Sequence, residues 1–149
     1  MIIRPVRRSD ISSLVELMIA FAHYDGPENE VRVDANKLEE ILFTQNPKLY
    51  SIVAEIDGVA VAFLNYYYSF SSFELKKCLW VEDVFVTDDH RRKGIGAALF
   101  KYVQAIAISE DCAKLEWLVR RDNRLGVDFY NQLKAHVDEG TIYVKWHLP

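Results

Sequence analysis

Hydrophobic positions along the chain recur with two periods, and each change of period marks a predicted element. Ile2 to Val6 reads as a short strand, after which Ser9 or Asp10 can cap a helix whose Ile11, Leu14, Val15, Met18 and Ala22 keep helical spacing. Asp25-Gly26-Pro27 stops that helix. Glu28 to Val33 reads as loop, and Asp34 caps a second helix with Leu38, Ile41 and Leu42 on one side, ended by Asn46-Pro47. Tyr50 to Ile56 and Val59 to Phe70 are rich in β-branched and aromatic residues and flank Asp57-Gly58, a strong hairpin signal. A turn at Ser71-Ser72-Phe73-Glu74 leads to a strand over Lys77 to Val86, apolar on both faces as a strand covered on each side should be.

After a polar turn, Thr87 to Lys93, a helix from about Gly94 to Ser109 sets Ile95, Leu99, Tyr102, Val103 and Ile106 in one stripe. Lys114 to Val119 is the next predicted strand. Asn123 to Lys134 follows as a helix with Leu125, Phe129 and Leu133 at four-residue spacing, and Thr141 to Trp146 as a last strand. The order β-α-α-β-β-β-α-β-α-β describes one α/β domain in which an antiparallel meander feeds a β-α-β unit.

Composition excludes several classes. The chain has 149 residues, 50% of them hydrophobic and 27% charged, the balance of one globular domain. No apolar run reaches the ~20 residues that cross a bilayer. The first residues turn polar at Arg7-Arg8-Ser9-Asp10, without the apolar core of a secretion signal, so a cytoplasmic location is expected. Cys78 and Cys112 lack metal-type spacing, His23, His90, His136 and His147 are scattered, and no metal site is expected. A net charge of -4 provides no global field for nucleic acid or an anionic membrane, and neither partner is expected.

The stretch Val84-Phe85-Val86-Thr87-Asp88-Asp89-His90-Arg91-Arg92-Lys93-Gly94-Ile95-Gly96-Ala97-Ala98-Leu99 is a strand that passes through a basic, glycine-containing turn into a helix. The first amides of a helix lack intrahelical acceptors and sit at the positive end of its dipole, so diphosphate can bind there. Gly94 and Gly96 keep side chains away, and Arg91, Arg92 and Lys93 raise the local potential. A Walker A loop needs Gly-Lys-Ser/Thr where Gly94 is followed by Ile95; a dinucleotide fingerprint needs glycine or alanine where Leu99 stands, although Glu116 lies near its ribose-binding distance and keeps that alternative open. A surface turn with solvated basic residues is the plainer alternative.

Arg91-x-x-Gly94-x-Gly96 after a strand resembles the acyl-CoA signature of the GNAT superfamily, Arg/Gln-x-x-Gly-x-Gly/Ala. Ile3-Arg4-Pro5 with Asp10 resembles that family's first strand and helix cap, and Asn123 followed by Phe129-Tyr130 its late CoA-contacting helix. Within the superfamily, Leu79-Trp80-Val81-Glu82-Asp83-Val84-Phe85-Val86 most resembles the diamine and polyamine (spermidine/spermine) acetyltransferases. The resemblance implies a single α/β (α+β) domain over residues 1–149, with a mixed central sheet of six to seven strands flanked by about four helices. It implies acetyl-CoA as co-substrate, a small-molecule amine as acceptor, and a homodimer, towards which apolar Tyr143, Val144 and Trp146 on the last strand also point.

Acetyl transfer to an amine needs a neutral amine, a polarised carbonyl and a proton for the departing thiolate. Glu82-Asp83 interrupts an apolar strand, and alternation puts the two carboxylates on opposite faces, where at least one is desolvated or faces a cavity. Glu82 could take the ammonium proton, the role the resemblance implies; a structural carboxylate with a basic partner is the alternative. The family's strand commonly carries a β-bulge that leaves backbone groups for the pantetheine arm, here of Val84 and Val86 around Phe85, with the Val84 amide at the thioester carbonyl. The cofactor contacts implied are thus Val84 to Val86, Arg91 to Ala97, including Ile95, and Asn123 and Tyr130. Tyr130 is the implied general acid at the CoA sulfur, with a core aromatic as alternative. Glu28 and Glu30, with Glu82 and Asp83, could attract a cationic substrate, and Tyr66-Tyr67-Tyr68 reads as strand packing with alternate rings towards the acceptor. Leu133-Lys134-Ala135 and Asp122 depart from the family's Leu-Gly-hydrophobic and aromatic residues. A non-catalytic acyl-CoA sensor, or an enzyme acting on a protein amine, are the rival functions.

Overall fold

The hairpin at Asp57-Gly58 organises the sheet. In the computed structural model, which describes residues 1–26 and 31–146, both turn residues are left-handed (φ 51° and 82°), as a two-residue turn between right-twisted strands requires. It joins β2 (Tyr50–Ile56) to β3 (Val59–Ser71), and a second hairpin leads into β4 (Lys76–Val86). β1 (Ile2–Pro5) pairs antiparallel with β2, and β5 (Leu115–Glu116) pairs parallel with β4, giving the order β1-β2-β3-β4-β5.

The mixed sheet therefore has five strands among the described residues, rather than six to seven. Lys114 to Val119 contributes only the paired Leu115 and Glu116. Thr141 to Trp146 forms no strand, although its residues alternate suitably. Strand propensity is a preference for a pleated, partly covered surface, and Ile142, Val144 and Trp146 are 84%, 82% and 91% exposed.

The chain divides into two compact units, Met1–Trp117 and Leu118–Pro149. The first holds the sheet with α1 (Ile11–Asp25), α2 (Ala35–Leu42) and α3 (Ile95–Ser109); the second holds α4 (Arg124–Gln132). On one face of the sheet, Val53, Phe63 and Phe85 pack with Ile11, Leu14 and Leu17 of α1 and Leu38 and Leu42 of α2. Side chains alternate along each strand, so the other face carries buried Ala62, Leu64 and Tyr66, and α3 packs there with Leu99 and Val103 buried. In α4 the buried residue is Tyr130, while Leu125 of the expected apolar stripe is 75% exposed. Just past α4, Lys134 is left-handed (φ 60°), a helix-end conformation that favours glycine.

The helix boundaries follow their caps. Asp34 Oδ1 accepts the Lys37 amide at 3.1 Å at the start of α2, and the Gly26 amide closes α1 on Ala22 O at 3.1 Å. Asp10 departs from the simple cap expected. It accepts the Arg7 amide at 2.7 Å and the Arg4 guanidinium at 2.6 and 3.0 Å, while Arg4 also donates to Glu55 at 2.6 and 2.9 Å. Arg4 thus ties β1, the turn before α1 and β2 together, with its side chain 13% exposed. The Arg4 hydrogen bond holds the Asp10 carboxyl below its ordinary range, against the opposing effect of burial.

Arg4→Leu should cost about 2–4 kcal/mol, since it strands two partly buried carboxylates. Asp10 has a lowered folded pKa, so its contribution is complete above the ordinary value of about 4 and is lost as pH falls through the folded value. Urea unfolding should therefore show the wild-type advantage over Arg4→Leu at neutral pH shrinking in that acid window.

Candidate active site

Two left-handed residues shape the basic loop. Arg92 (φ 58°) and Gly94 (φ 79°) turn the chain between β4 and α3, and Gly94 is the N-cap of α3 with no side-chain hydrogen bond to the helix. A Cβ at Gly94 would meet nothing within 4 Å. Arg92 and Lys93 are exposed and have no acidic partner among the described residues. A helix terminus left open, flanked by unpaired cations and clear of side chains, fits a diphosphate.

Arg91 behaves differently from the phosphate donor that the sequence suggests. Its Nε donates to Val86 O at 3.0 Å and a terminal nitrogen lies 2.6 Å from Asp88 Oδ1. Its guanidinium carbon stands 4.2 Å from the Tyr24 ring centroid and 5.5 Å from that of Phe85. Arg91 is a clamp between the loop, the end of β4 and α1.

Beyond Trp80, where its pairing with β5 ends, β4 has no further strand partner on its outer edge among the described residues. The Thr87 amide donates to Val61 O at 3.0 Å, which makes Ala62–Val86 and Leu64–Val84 the non-hydrogen-bonded pairs, so the peptide groups of Val84 and Val86 point away from β3. Both peptide groups of Val84 and the N–H of Val86 therefore face this edge without a strand partner among the described residues. The Val86 carbonyl is taken by Arg91. The Phe85 and Ile95 side chains are buried, 6% and 2% exposed, so only their backbone is left for a ligand. Gly96 and Ala97 lie half-buried in the first turn of α3.

The register of β3 on β4 shifts between Asn65 and Tyr66: Asn65 faces Asp83, Tyr66 faces Val81, and Glu82 is the extra residue of a β-bulge. This corrects the expectation that Glu82 and Asp83 point to opposite faces. Asn65 and Tyr67 share a face, and their partners are Asp83 and Trp80, so those two share it as well. Glu82 joins them through the 3.0 Å hydrogen bond it accepts from Trp80 Nε1. Tyr66 and Tyr68 point to the other face, where burial raises the Tyr66 phenol and Tyr66 stacks on Tyr50 at 5.2 Å.

The two carboxylates differ in surroundings. Glu82 is exposed and Asp83 half-buried. Burial pushes the Asp83 carboxyl up, the charges of Glu82 and Asp25 add to this, and a 3.1 Å hydrogen bond from Asn65 Nδ2 opposes it. No cation pairs with Asp83 among the described residues. Such a carboxylate can hold an ammonium group.

In the second unit, Asn123 caps α4, its Oδ1 accepting the Gly126 amide at 2.9 Å. A Cβ at Gly126 would lie 2.8 Å from Asn123 Nδ2, so the glycine makes room for this carboxamide. Tyr130 is 8% exposed, its ring 5.2 Å from that of Phe129. Glu28 and Glu30 lie outside the described residues. The sequence reading passed over Tyr24, Asp25 and Asn65. Asn65 alone carried a signal, as an amide in the apolar run Val61 to Tyr68, a residue type depleted in strands. The described residues contain no cluster able to hold a metal ion and no helix long and apolar enough to cross a membrane.

The chain is 26% identical over 141 residues to the thialysine N-epsilon-acetyltransferase of Bos taurus, covering 89% of this chain and 82% of that one. It is 28% identical to the spermidine/spermine N(1)-acetyltransferase-like protein 1 of Homo sapiens, covering 98% of this chain and 22% of that longer protein. An aminoglycoside acetyltransferase from an uncultured soil metagenomic sample has the same fold, with a TM-score of 0.85 at 19% identity over 99% of this chain and 96% of that one. The family described as Acetyltransferase (GNAT) family matches residues 13–134. That match runs from α1 through α4 and across both units, and by it the chain belongs to the GNAT family of acetyltransferase enzymes.

Proposed function

We propose that this enzyme transfers the acetyl group of acetyl-CoA to a primary amine on a short aliphatic chain, a diamine, polyamine or lysine-like molecule, by direct attack. The observation that carries the reading is the N-terminus of α3 behind left-handed Gly94, beside exposed Arg92 and Lys93, which have no acidic partner among the described residues. Diphosphate binds the first amides of α3, from Ile95 to Ala97, with Arg92 and Lys93 as counter-charges, and the pantetheine arm lies along the open edge from Val84 to Val86. Arg91 serves by holding the loop. Asn123 adds a CoA contact. The relatives named for thialysine and spermidine/spermine support the acceptor class, as does the acidic, aromatic face formed by Trp80, Glu82, Asp83 and Asp25.

In the reaction, Glu82 takes a proton from the ammonium group, directly or through water, while Asp83 holds the cationic acceptor. Glu28 and Glu30 add to the negative field. The neutral nitrogen attacks the thioester carbon as the Val84 N–H steadies the carbonyl oxygen. A C–N bond forms, the C–S bond breaks, and Tyr130 gives its phenolic proton to the departing thiolate. The second proton, shed by the acylated nitrogen, restores the Tyr130 phenol through water, while the proton on Glu82 passes to solvent. The enzyme works in the cytoplasm as a homodimer, its exposed Ile142, Val144 and Trp146 available to a second copy. Light scattering would read a monomer if that assembly is wrong.

Free-thiol release over a panel of amines tests the activity, and none with any amine would favour an acyl-CoA sensor. Gly94→Val forces a branched side chain into a left-handed position, a strain of about 1–2 kcal/mol before any clash with phosphate. Acetyl-CoA affinity by calorimetry should fall about tenfold or more. Unchanged affinity would remove the diphosphate from this loop.

Glu82→Gln should lower kcat/KM about 10²-fold at neutral pH, with partial recovery at alkaline pH where the amine is already neutral. A wild-type rate and pH profile would make Glu82 structural.

Tyr130→Phe keeps the ring and its packing, so CoA binding should hold while single-turnover thiol release at saturating amine falls on the order of 10²-fold. Unchanged chemistry would leave Tyr130 as core packing.

A further inference from the structure

Asn65 is 1% exposed in the middle of β3, and its amide is only half used. Nδ2 donates to Asp83 Oδ2 at 3.1 Å, while Oδ1 is buried with no donor among the described residues. A buried amide with an unsatisfied carbonyl is costly to keep, and an apolar residue of the same shape would pack there without that cost. What the amide supplies is therefore its donor, and the donor serves one atom, Asp83 Oδ2. The other Asp83 oxygen meets no donor among the described residues. The groups that act on this carboxylate are acidic or neutral from each neighbouring element: Glu82 on β4, Asp25 at the end of α1 and Asn65 on β3. No cation balances it among the described residues, and the cationic acceptor of the proposed reaction would bring one.

We infer that Asn65 is a positioning residue of the acceptor site, fixing Asp83 Oδ2 from within the sheet so that Asp83 Oδ1 is offered to the ammonium group of the substrate. This rests on the proposed amine acetylation. Asn65 touches neither substrate nor reacting atoms; it acts through Asp83. Its hydrogen bond favours the ionised carboxylate against burial and the two neighbouring carboxylates. Without it, Asp83 takes up a proton at higher pH and loses its hold on a cation.

Asn65→Leu tests this, with Asn65→Thr as the variant that keeps a donor. In Asn65→Leu the KM for 1,4-diaminobutane should rise about tenfold at neutral pH and approach the wild-type value in alkaline solution, with kcat and the KM for acetyl-CoA little changed. The acid limb of kcat/KM should move to higher pH, and Asn65→Thr should fall between. Carbon-13 NMR of the side-chain carboxyls should show the Asp83 midpoint raised in the folded Leu variant, and calorimetry a weaker diamine affinity without acetyl-CoA. An unmoved Asp83 midpoint, or a lower melting temperature with unchanged diamine KM and pH profile, would overturn the inference and leave Asn65 a packing residue. If the wild type acetylates no amine, the functional reading fails by itself, and the Asp83 midpoint and diamine affinity still decide the role of Asn65.

Discussion

Because β4 carries one residue more than β3 opposite it, the strand reverses its facing at Glu82, and the placement of charge in the first unit depends on that reversal. Before the bulge, Trp80 opposes Tyr67; after it, Asp83 opposes Asn65; both pairs lie on the face covered further along by α1. A regular strand would send Trp80 and Asp83 to opposite sides and split the aromatic and acidic surface in two. The bulge also leaves Val84 to Val86 along an edge whose pairing with β5 has already ended at Trp80. Acidic side chains and outward peptide groups are thereby produced by one irregularity within a few residues.

The other end of β4 meets the opposite electrostatic problem. Three basic residues in sequence precede α3, and their mutual repulsion is eased by committing one of them to the protein. Arg91 is taken up by Val86 O, Asp88 and the rings of Tyr24 and Phe85. Arg92 and Lys93 stay exposed. Tyr24 is followed directly by Asp25, whose charge acts on Asp83, so consecutive residues at the end of α1 hold Arg91 of the basic loop and add to the field at Asp83. Basic and acidic side chains stand this close because β4 and the clamp on Arg91 hold their charges in separate directions.

These arrangements are supported by local sacrifices. Asn65 keeps an unsatisfied carbonyl in the core, and Lys134 occupies a left-handed position that glycine would fill without strain. The Arg4 cluster offsets such costs at the far edge, where one guanidinium satisfies two carboxylates from separate elements.

Local features were legible in the sequence because their causes are local. The Asp57-Gly58 turn, the Asp34 cap, the stop at Gly26 and the glycine loop before α3 each depend on residues within a few positions, and the family resemblance rested on such short motifs. The register of β3 on β4 depends on pairing between residues eighteen apart, Asn65 with Asp83, and no local pattern marks where an extra residue is absorbed. Hence the sequence indicated two carboxylates in a strand but set them on opposite faces. It likewise read Arg91 as a phosphate ligand, since the Tyr24 ring that captures it comes from another element. Thr141 to Trp146 had the alternation of a strand, but alternation prepares a segment for an edge and does not supply one. The sequence by itself determined the elements, their caps and the chemical kinds present. Only the tertiary structure decided which side chains share a face and which charges are already spent, because those depend on partners the local chain cannot specify.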